Sequence, residues 1–427
     1  MTLKSAHVSE AGHVPPEPRI TNGYKQTEVG VIPEDWVVKP LHALAEKIMV
    51  GIASAATHAY RERGIVMFRN QNIKPGYLDD SDILYLNEDY EVAFRNKRLK
   101  SGDLLTARTG YPGTTSIVPP MYEGAQSFTT LITRPRPNLV DSTYLCCLIN
   151  SQVGQTYFEQ NKTGGGQKNV NAGSLKYLPV PLPPTKTEQA AIAGALSDAD
   201  ALIESIEQLV TKKRQIKQGA MQELLTGKKR LPGFNGRWET RTIGEIATPS
   251  SEKNGTSDNL PVLSCSKHLG FVDSLSYFKN QVFSKDTSTY KLVRRGQIAY
   301  PANHIEEGSI GLQDLYDVAL VSPIYVVFSV NEGTNSYFIH RLLKLDSYRQ
   351  KFKTATTSSV DRRGSLRWPA FSEITVRLPL LTEQFAIASF LSEMETEIRA
   401  LEQKLAKARM IKQGMIQALL TGKVRLV

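Results

Sequence analysis

With 427 residues, 41% of them hydrophobic and 22% charged, the chain has the composition of a globular protein of two to four domains and not of a disordered one. Its 52 Lys and Arg outweigh 42 Asp and Glu, and the net charge of +10 allows a polyanionic partner without establishing one. The three cysteines, Cys146, Cys147 and Cys265, are too few and wrongly spaced for a disulfide framework or a CxxC metal site, and no apolar run approaches the roughly 18 residues of a spanning helix, so a cytoplasmic protein is expected.

Residues 1–24 read as a tail with Pro15, Pro16 and Pro18 and no apolar core of signal-peptide length. Residues 25–182 form the first globular segment, opening on Ile32-Pro-Glu-Asp-Trp36. A strand-like run from Ile65 leads to Arg69-Asn-Gln-Asn72 and Gly76-Tyr-Leu-Asp79, and Leu99 to Leu105 carries a Gly-Asp turn. Residues 183–230 follow as a long helix. Ile192, Leu196, Ala199, Ile203, Ile206 and Val210 step by four and three, which is a heptad seam. It breaks at Lys213 and is expected to resume at Ile216, Ala220 and Leu224. About 38 residues at ~1.5 Å each give a helix of roughly 57 Å. Gly227 is the expected stop.

Residues 231–377 form the second globular segment, opening on Gly236-Arg-Trp238. Pro261 to His268, then Gly270-Phe-Val-Asp273, then Leu292 to Ile298 repeat the first segment's order faintly. Both segments read as strand-rich mixed α/β (α+β) domains. Residues 378–427 are a second long helix. From Thr187 to Leu231 the chain realigns without a gap on Thr382 to Leu426, and 25 of the 45 positions are identical at a constant offset of 195. A tandem copy implies pseudo-two-fold symmetry. The economical arrangement packs the two helices antiparallel through Ile192, Leu196, Ile203 and Ile206 and through Ile387, Leu391, Ile398 and Leu401, separating the two globular domains. A helix capping only its own domain is the alternative.

The order Ile-Pro-x-Asp-Trp, variable segment, Leu-Pro-x-Pro, Glu188-Gln189, long helix, Lys217-Gln-Gly219 and Leu-Leu-Thr-Gly-Lys-x-Arg-Leu, then much of it again with Glu383-Gln384 and Lys412-Gln-Gly414, resembles the DNA-specificity (S) subunit of type I restriction–modification systems. The likeness covers nearly the whole chain after residue 25. Gly236-Arg-Trp238 departs from the proline-bearing tryptophan motif, which leaves the start of the second domain open. The resemblance implies a non-catalytic subunit with two target recognition domains reading a split, asymmetric duplex. Its helices would act as a ruler and dock two methyltransferase (M) subunits, to which restriction/translocase (R) subunits join. No cofactor would bind directly: S-adenosylmethionine, ATP and Mg belong to the partners.

Readers of base edges are amides, Arg, Lys, His and hydroxyls on turns. The candidates are Arg69, Asn70, Gln71 and Asn72, then Arg108, Thr109 and Tyr111, then Lys162, Gln167, Lys168 and Asn169 in a glycine-rich loop. In the second segment they are Ser266, Lys267, His268, Asn303, His304, Arg362 and Arg363. No P-loop, Gly-x-Ser-x-Gly elbow, (Asn/Asp)-Pro-Pro-(Tyr/Phe) box or His/Cys metal spacing is found, so no catalytic or metal residue is expected. The competing readings are a solitary DNA-binding regulator, a metal-dependent nuclease and a coiled-coil protein that never meets DNA.

Overall fold

The computed structural model describes residues 22–161, 169–255, 260–357 and 365–426. The chain divides into two compact units, one of residues 1–205 with 405–427 and one of residues 206–404.

In the first unit a four-stranded antiparallel sheet runs Ala45–Val50, Leu131–Pro135, Leu104–Thr106, Thr115–Ile117 across its width. A second sheet carries Gln126–Ser127, Ile65–Phe68, Leu84–Leu86 and Tyr60–Arg61. Val37–Pro40 pairs antiparallel with Pro179–Leu182 and so brings the start and end of the globular part together. Helix Ser142–Asn150 starts where the Asp141 carboxylate accepts from the Thr143 and Tyr144 amides, both at 2.9 Å. Trp36, Tyr144, Leu145 and Phe158 fill the core under the first sheet.

The second unit repeats this plan. Its sheet runs Ala247–Ser250, Tyr325–Val330, Ile298–Pro301, Gly311–Leu312, in the same order and with the same antiparallel sense. Glu239–Thr242 pairs with Thr375–Leu378 as the gathering pair, and Asn335 caps helix Ser336–Leu343 through the Phe338 amide. Its counterpart of the second sheet is reduced to two antiparallel pairs, the hairpin Leu263–Ser266 with Gly270–Asp273 and the non-adjacent Lys291–Arg294 with Val318–Val321. The faint ordered matches between the globular segments therefore reflect one topology used twice, and the mixed α/β fold class holds.

The repeated segments form helices Lys186–Leu224 and Leu381–Leu419, 39 residues each. In the first unit, Lys412 pairs with Asp200 and Arg425 with Glu188, so the partners run in opposite directions. In the second unit, Lys217 pairs with Glu395 and Arg230 with Glu383. Each pair is the other's image under the offset of 195. The glutamines beside these glutamates are also used twice: Gln189 accepts from the Asp141 amide and Gln384 from the Asn335 amide, each at 2.9 Å. The Glu-Gln signature is thus a clasp whose glutamine fixes the helix start to the capping residue of a helix in its own globular part, Asp141 or Asn335.

The seam is buried at Ile192, Leu196, Ile206, Ile387, Leu391 and Ile398, while Ile203 and Leu401 are half-buried. Ile192 and Leu196 lie in the core of the first globular part beside Leu419 and Leu420, and Ile387 and Leu391 lie in that of the second beside Leu224 and Leu225. The early part of each seam therefore serves a domain core as well as helix pairing. Of the resumption expected at Ile216, Ala220 and Leu224, Leu224 is buried and Ala220 packs against a core, as do their images Leu419 and Met415, whereas Ile216 and its image Ile411 are 47% and 53% exposed. At the helix ends, Gly227 and Gly422 adopt φ of +70° and +68°, and a Cβ on Gly422 would lie 2.5 Å from the Pro33 ring. Only glycine fits that turn and that approach.

His340, on helix Ser336–Leu343, gives the second unit a pH dependence. Burial, then the charge of Lys344, push it down to about 4, against a bond to the Ile310 carbonyl and the charge of Glu395; Arg341 adds to the depression. The unfolded chain binds this proton near pH 6.5 and the folded one does not, so stability is full above that pH and falls as pH drops towards 4. The loss should reach up to about 3 kcal/mol. His340→Gln should flatten the fall of the urea midpoint between pH 6.5 and 4.5. Parallel falls in both proteins would assign the acid limb to other groups.

Candidate nucleic-acid interface

The first unit gathers three turns at one end of its first sheet. Strand Leu104–Thr106 runs into residues 107–114, the 3-10 turn Asn70–Asn72 follows strand Ile65–Phe68, and Thr129 precedes strand Leu131–Pro135. A single amide stitches them together. Asn70 Oδ1 accepts from the Arg108 backbone N–H at 2.7 Å, and its Nδ2 donates to Thr129 Oγ1 at 3.2 Å. Thr129 sits at φ +53°, a left-handed conformation that costs a β-branched residue energy and persists only where its surroundings impose it.

These turns enclose a cavity of about 660 Å³. Arg69, Asn70, Gln71, Thr109 and Tyr111 line it together with Lys74, Phe128 and Thr129. Tyr111 is 84% exposed and stands at the rim. Asp82 holds two of the candidates, pairing with Arg69 at 2.9 Å and accepting from Gln71 at 2.6 Å. Arg108 is tied in through its backbone, and its carbonyl accepts from Val170, which places Asn169 next along the same chain. Asn72 is different. It is buried, its Oδ1 accepts from the Arg69 amide, and its Nδ2 donates to the Asp79 and Asp82 carbonyls. Both ends of its amide are consumed inside the turn, so Asn72 builds the site and is not a base reader. Lys162, Gln167 and Lys168 lie outside the described residues, as do Arg362 and Arg363.

The second unit places a cavity of about 590 Å³ at the equivalent sheet end, where Ile298–Pro301 finishes and Tyr325–Val330 begins. The correspondence extends to the backbone, because Leu366 donates to the Ala302 carbonyl as Val170 does to that of Arg108. Of the candidates here only Asn303 lines the cavity, with Ser250, Lys291, Tyr325, Arg367 and Trp368. Lys291 donates to the Tyr325 carbonyl at 2.5 Å, and burial followed by the charges of Lys253 and Arg367 lowers its affinity for its proton. A half-buried cation beside other cations favours an anionic ligand.

Ser266, Lys267 and His268 sit instead at the tip of the hairpin joining Leu263–Ser266 to Gly270–Asp273, with Lys267 and His268 exposed. His304 faces Glu307 at 3.3 Å. Among the described residues, His304, Glu306 and Glu307 are the one group whose ligand atoms approach within 4.8 Å, and two of the three are exposed surface residues. Phe128, Thr129, Lys291, Arg367 and Trp368 were missed from the sequence. Arg367-Trp368 was the one readable signal among them, a cation beside an aromatic.

A family model for the type I restriction modification DNA specificity domain matches residues 33–218 and again 235–409. The putative type I restriction enzyme MjaX specificity subunit of Methanocaldococcus jannaschii is 24% identical, covering 94% of this chain and 96% of its own. The MjaVIII specificity subunit of the same organism is 23% identical over 71% of this chain and 75% of its own. Among solved structures, the type I restriction–modification S subunit from M. genitalium aligns with a TM-score of 0.56 at 14% identity, covering 95% of this chain and 99% of that one. A chain from a structural study of assembly and conformational transition in the type I R-M system gives a TM-score of 0.53 at 15% identity, covering 92% and 99%. At such identities the two structures speak to the fold.

Proposed function

Because this chain belongs to the type I restriction–modification DNA-specificity family, we propose that its globular parts, residues 25–182 and 231–377, each read one part of a split, asymmetric duplex target. The observation that carries this reading is one sheet topology used twice, with corresponding sheet-end cavities lined by different side chains. A conserved frame with divergent linings suits two different half-sequences. Lys and Arg contacts to phosphates supply salt-dependent affinity, and side chains at the base edges supply discrimination. Exposed Lys267 at its hairpin tip serves the first role and the cavity residues the second.

The chain itself performs no catalysis in this reading. Methylation, ATP hydrolysis and cleavage belong to methyltransferase and restriction/translocase partners, which carry S-adenosylmethionine, ATP and Mg. Co-expression with the methyltransferase subunit encoded beside it, followed by genome-wide mapping of methylated adenines, tests the proposal. A split motif with a fixed gap, methylated on both strands, is the expected result. No complex at all would favour a solitary DNA-binding regulator.

Two methyltransferase subunits need two equivalent docking places, and Ile216 and Ile411 supply a matched pair of exposed apolar side chains one repeat apart. Ile216→Asp or Ile411→Asp should each reduce the complex from two methyltransferase subunits to one, measured as mass in solution. The double variant should bind none. Retention of two subunits by the double variant would move docking to another face.

A further inference from the structure

We propose that the two corresponding cavities each seat one nucleobase rotated out of the bound duplex, an inference that rests on the DNA-reading function above. A duplex is too wide to enter a concavity of about 660 or 590 Å³, whereas a nucleotide swung off its stack fits well. Their walls suit a base. Tyr111 and Phe128 offer aromatic surface in the first cavity, Tyr325 and half-buried Trp368 in the second. Bases of any sequence stack on such faces, and polar groups then choose among them.

Each cavity also has a lining residue with a buried polar atom that finds no partner among the described residues. In the first it is Arg69 Nε, a donor; in the second it is Asn303 Oδ1, an acceptor. A donor is met by the O6 or N7 of guanine, the N7 of adenine or the O4 of thymine, and an acceptor by the amino group of adenine, cytosine or guanine. The two cavities therefore present opposite hydrogen-bonding character from equivalent places, which suits an asymmetric target in a repeated frame. Lys74 and Lys291 line the same two cavities and supply positive charge for the displaced nucleotide's phosphate. Left-handed Thr129, held by Asn70, keeps the first cavity open at the cost of backbone strain.

The test uses the full chain in complex with its methyltransferase subunits, on the split target read from wild-type methylation. Duplexes carry single 2-aminopurines at purines, or pyrrolo-cytosine at cytosines, at every position except the adenines that become methylated. Thymines of the unmodified duplex are probed with permanganate. At saturating protein, one such position in each half should brighten at least threefold or become permanganate-reactive. Tyr111→Ala should abolish the signal in one half only and Asn303→Ala in the other only, so the untouched half reports that each variant is folded. Bases that stay stacked at every probed position overturn the proposal, as does a signal that neither variant moves. A wild-type complex with no split methylated target would instead be a failure of the DNA-reading function itself.

Discussion

Arg425→Met should destabilise the first unit by about 3–5 kcal/mol, because it strands a buried carboxylate. Glu188 is 1% exposed at the start of the first long helix, and Arg425 grips both of its oxygens. The same guanidinium holds Asp35 at 3.0 Å through two nitrogens and lies 5.8 Å from the Trp36 ring. Removing it leaves Glu188 desolvated and without its cation. Arg425→Met/Glu188→Leu should recover most of the loss, since a pair replaced by apolar groups is far less costly than a pair broken. Thermal denaturation of the single and double variants measures this. A single variant as stable as the parent would mean that the clasp does not hold the C-terminal segment in place. Arg230→Met, its image in the second unit, should have the smaller effect, because Arg230 pairs with Glu383 and with the Gly236 carbonyl but, among the described residues, with no second carboxylate.

Removing seven residues from each long helix should shorten the gap between the two half-sites by about three base pairs and leave both half-sequences unchanged. Seven residues are close to two turns and about 10 Å of helix, and one base pair rises about 3.4 Å. A deletion confined to Glu204–Lys213 is not expected to suffice, for a reason the ion pairs give. Lys412–Asp200 and Lys217–Glu395 flank that stretch in opposite directions, and both keep register only if Arg399–Ala408 loses the same number of residues. The matched deletion is expected to methylate a shortened motif, and the one-sided deletion to lose methylation. Altered half-sequences with an unaltered gap would end the idea that the helices measure distance.

The repeat, the helix lengths and the antiparallel sense were legible because heptad spacing and an ungapped internal copy are local patterns. So was the fold class, through short runs broken by Gly, Asn and Asp. What stayed hidden depends on contacts far apart in sequence. Nothing near Trp36 announces a partner 389 residues onward, and Thr129 carries no sign of its left-handed backbone. Asn72 misled for a related reason. A turn amide that is entirely used by its neighbours has the same letter as one that faces a ligand, and only its hydrogen bonds tell them apart. The Ile216 and Ile411 positions fit the periodicity and yet stay exposed, as a helix face that serves another molecule would.

The first unit draws its core from both ends of the polypeptide, with Leu419 and Leu420 packed among Trp36, Leu182 and Ile192, while the second unit is contiguous. During synthesis the second unit therefore has its whole sequence before the first does. The earlier-made domain must wait for the stretch beyond residue 404 before its apolar interior closes. Premature termination near residue 405 would accordingly spare the distal domain and expose the proximal one, so that quality control of the N-terminal reader falls to codons read after the whole of the distal domain.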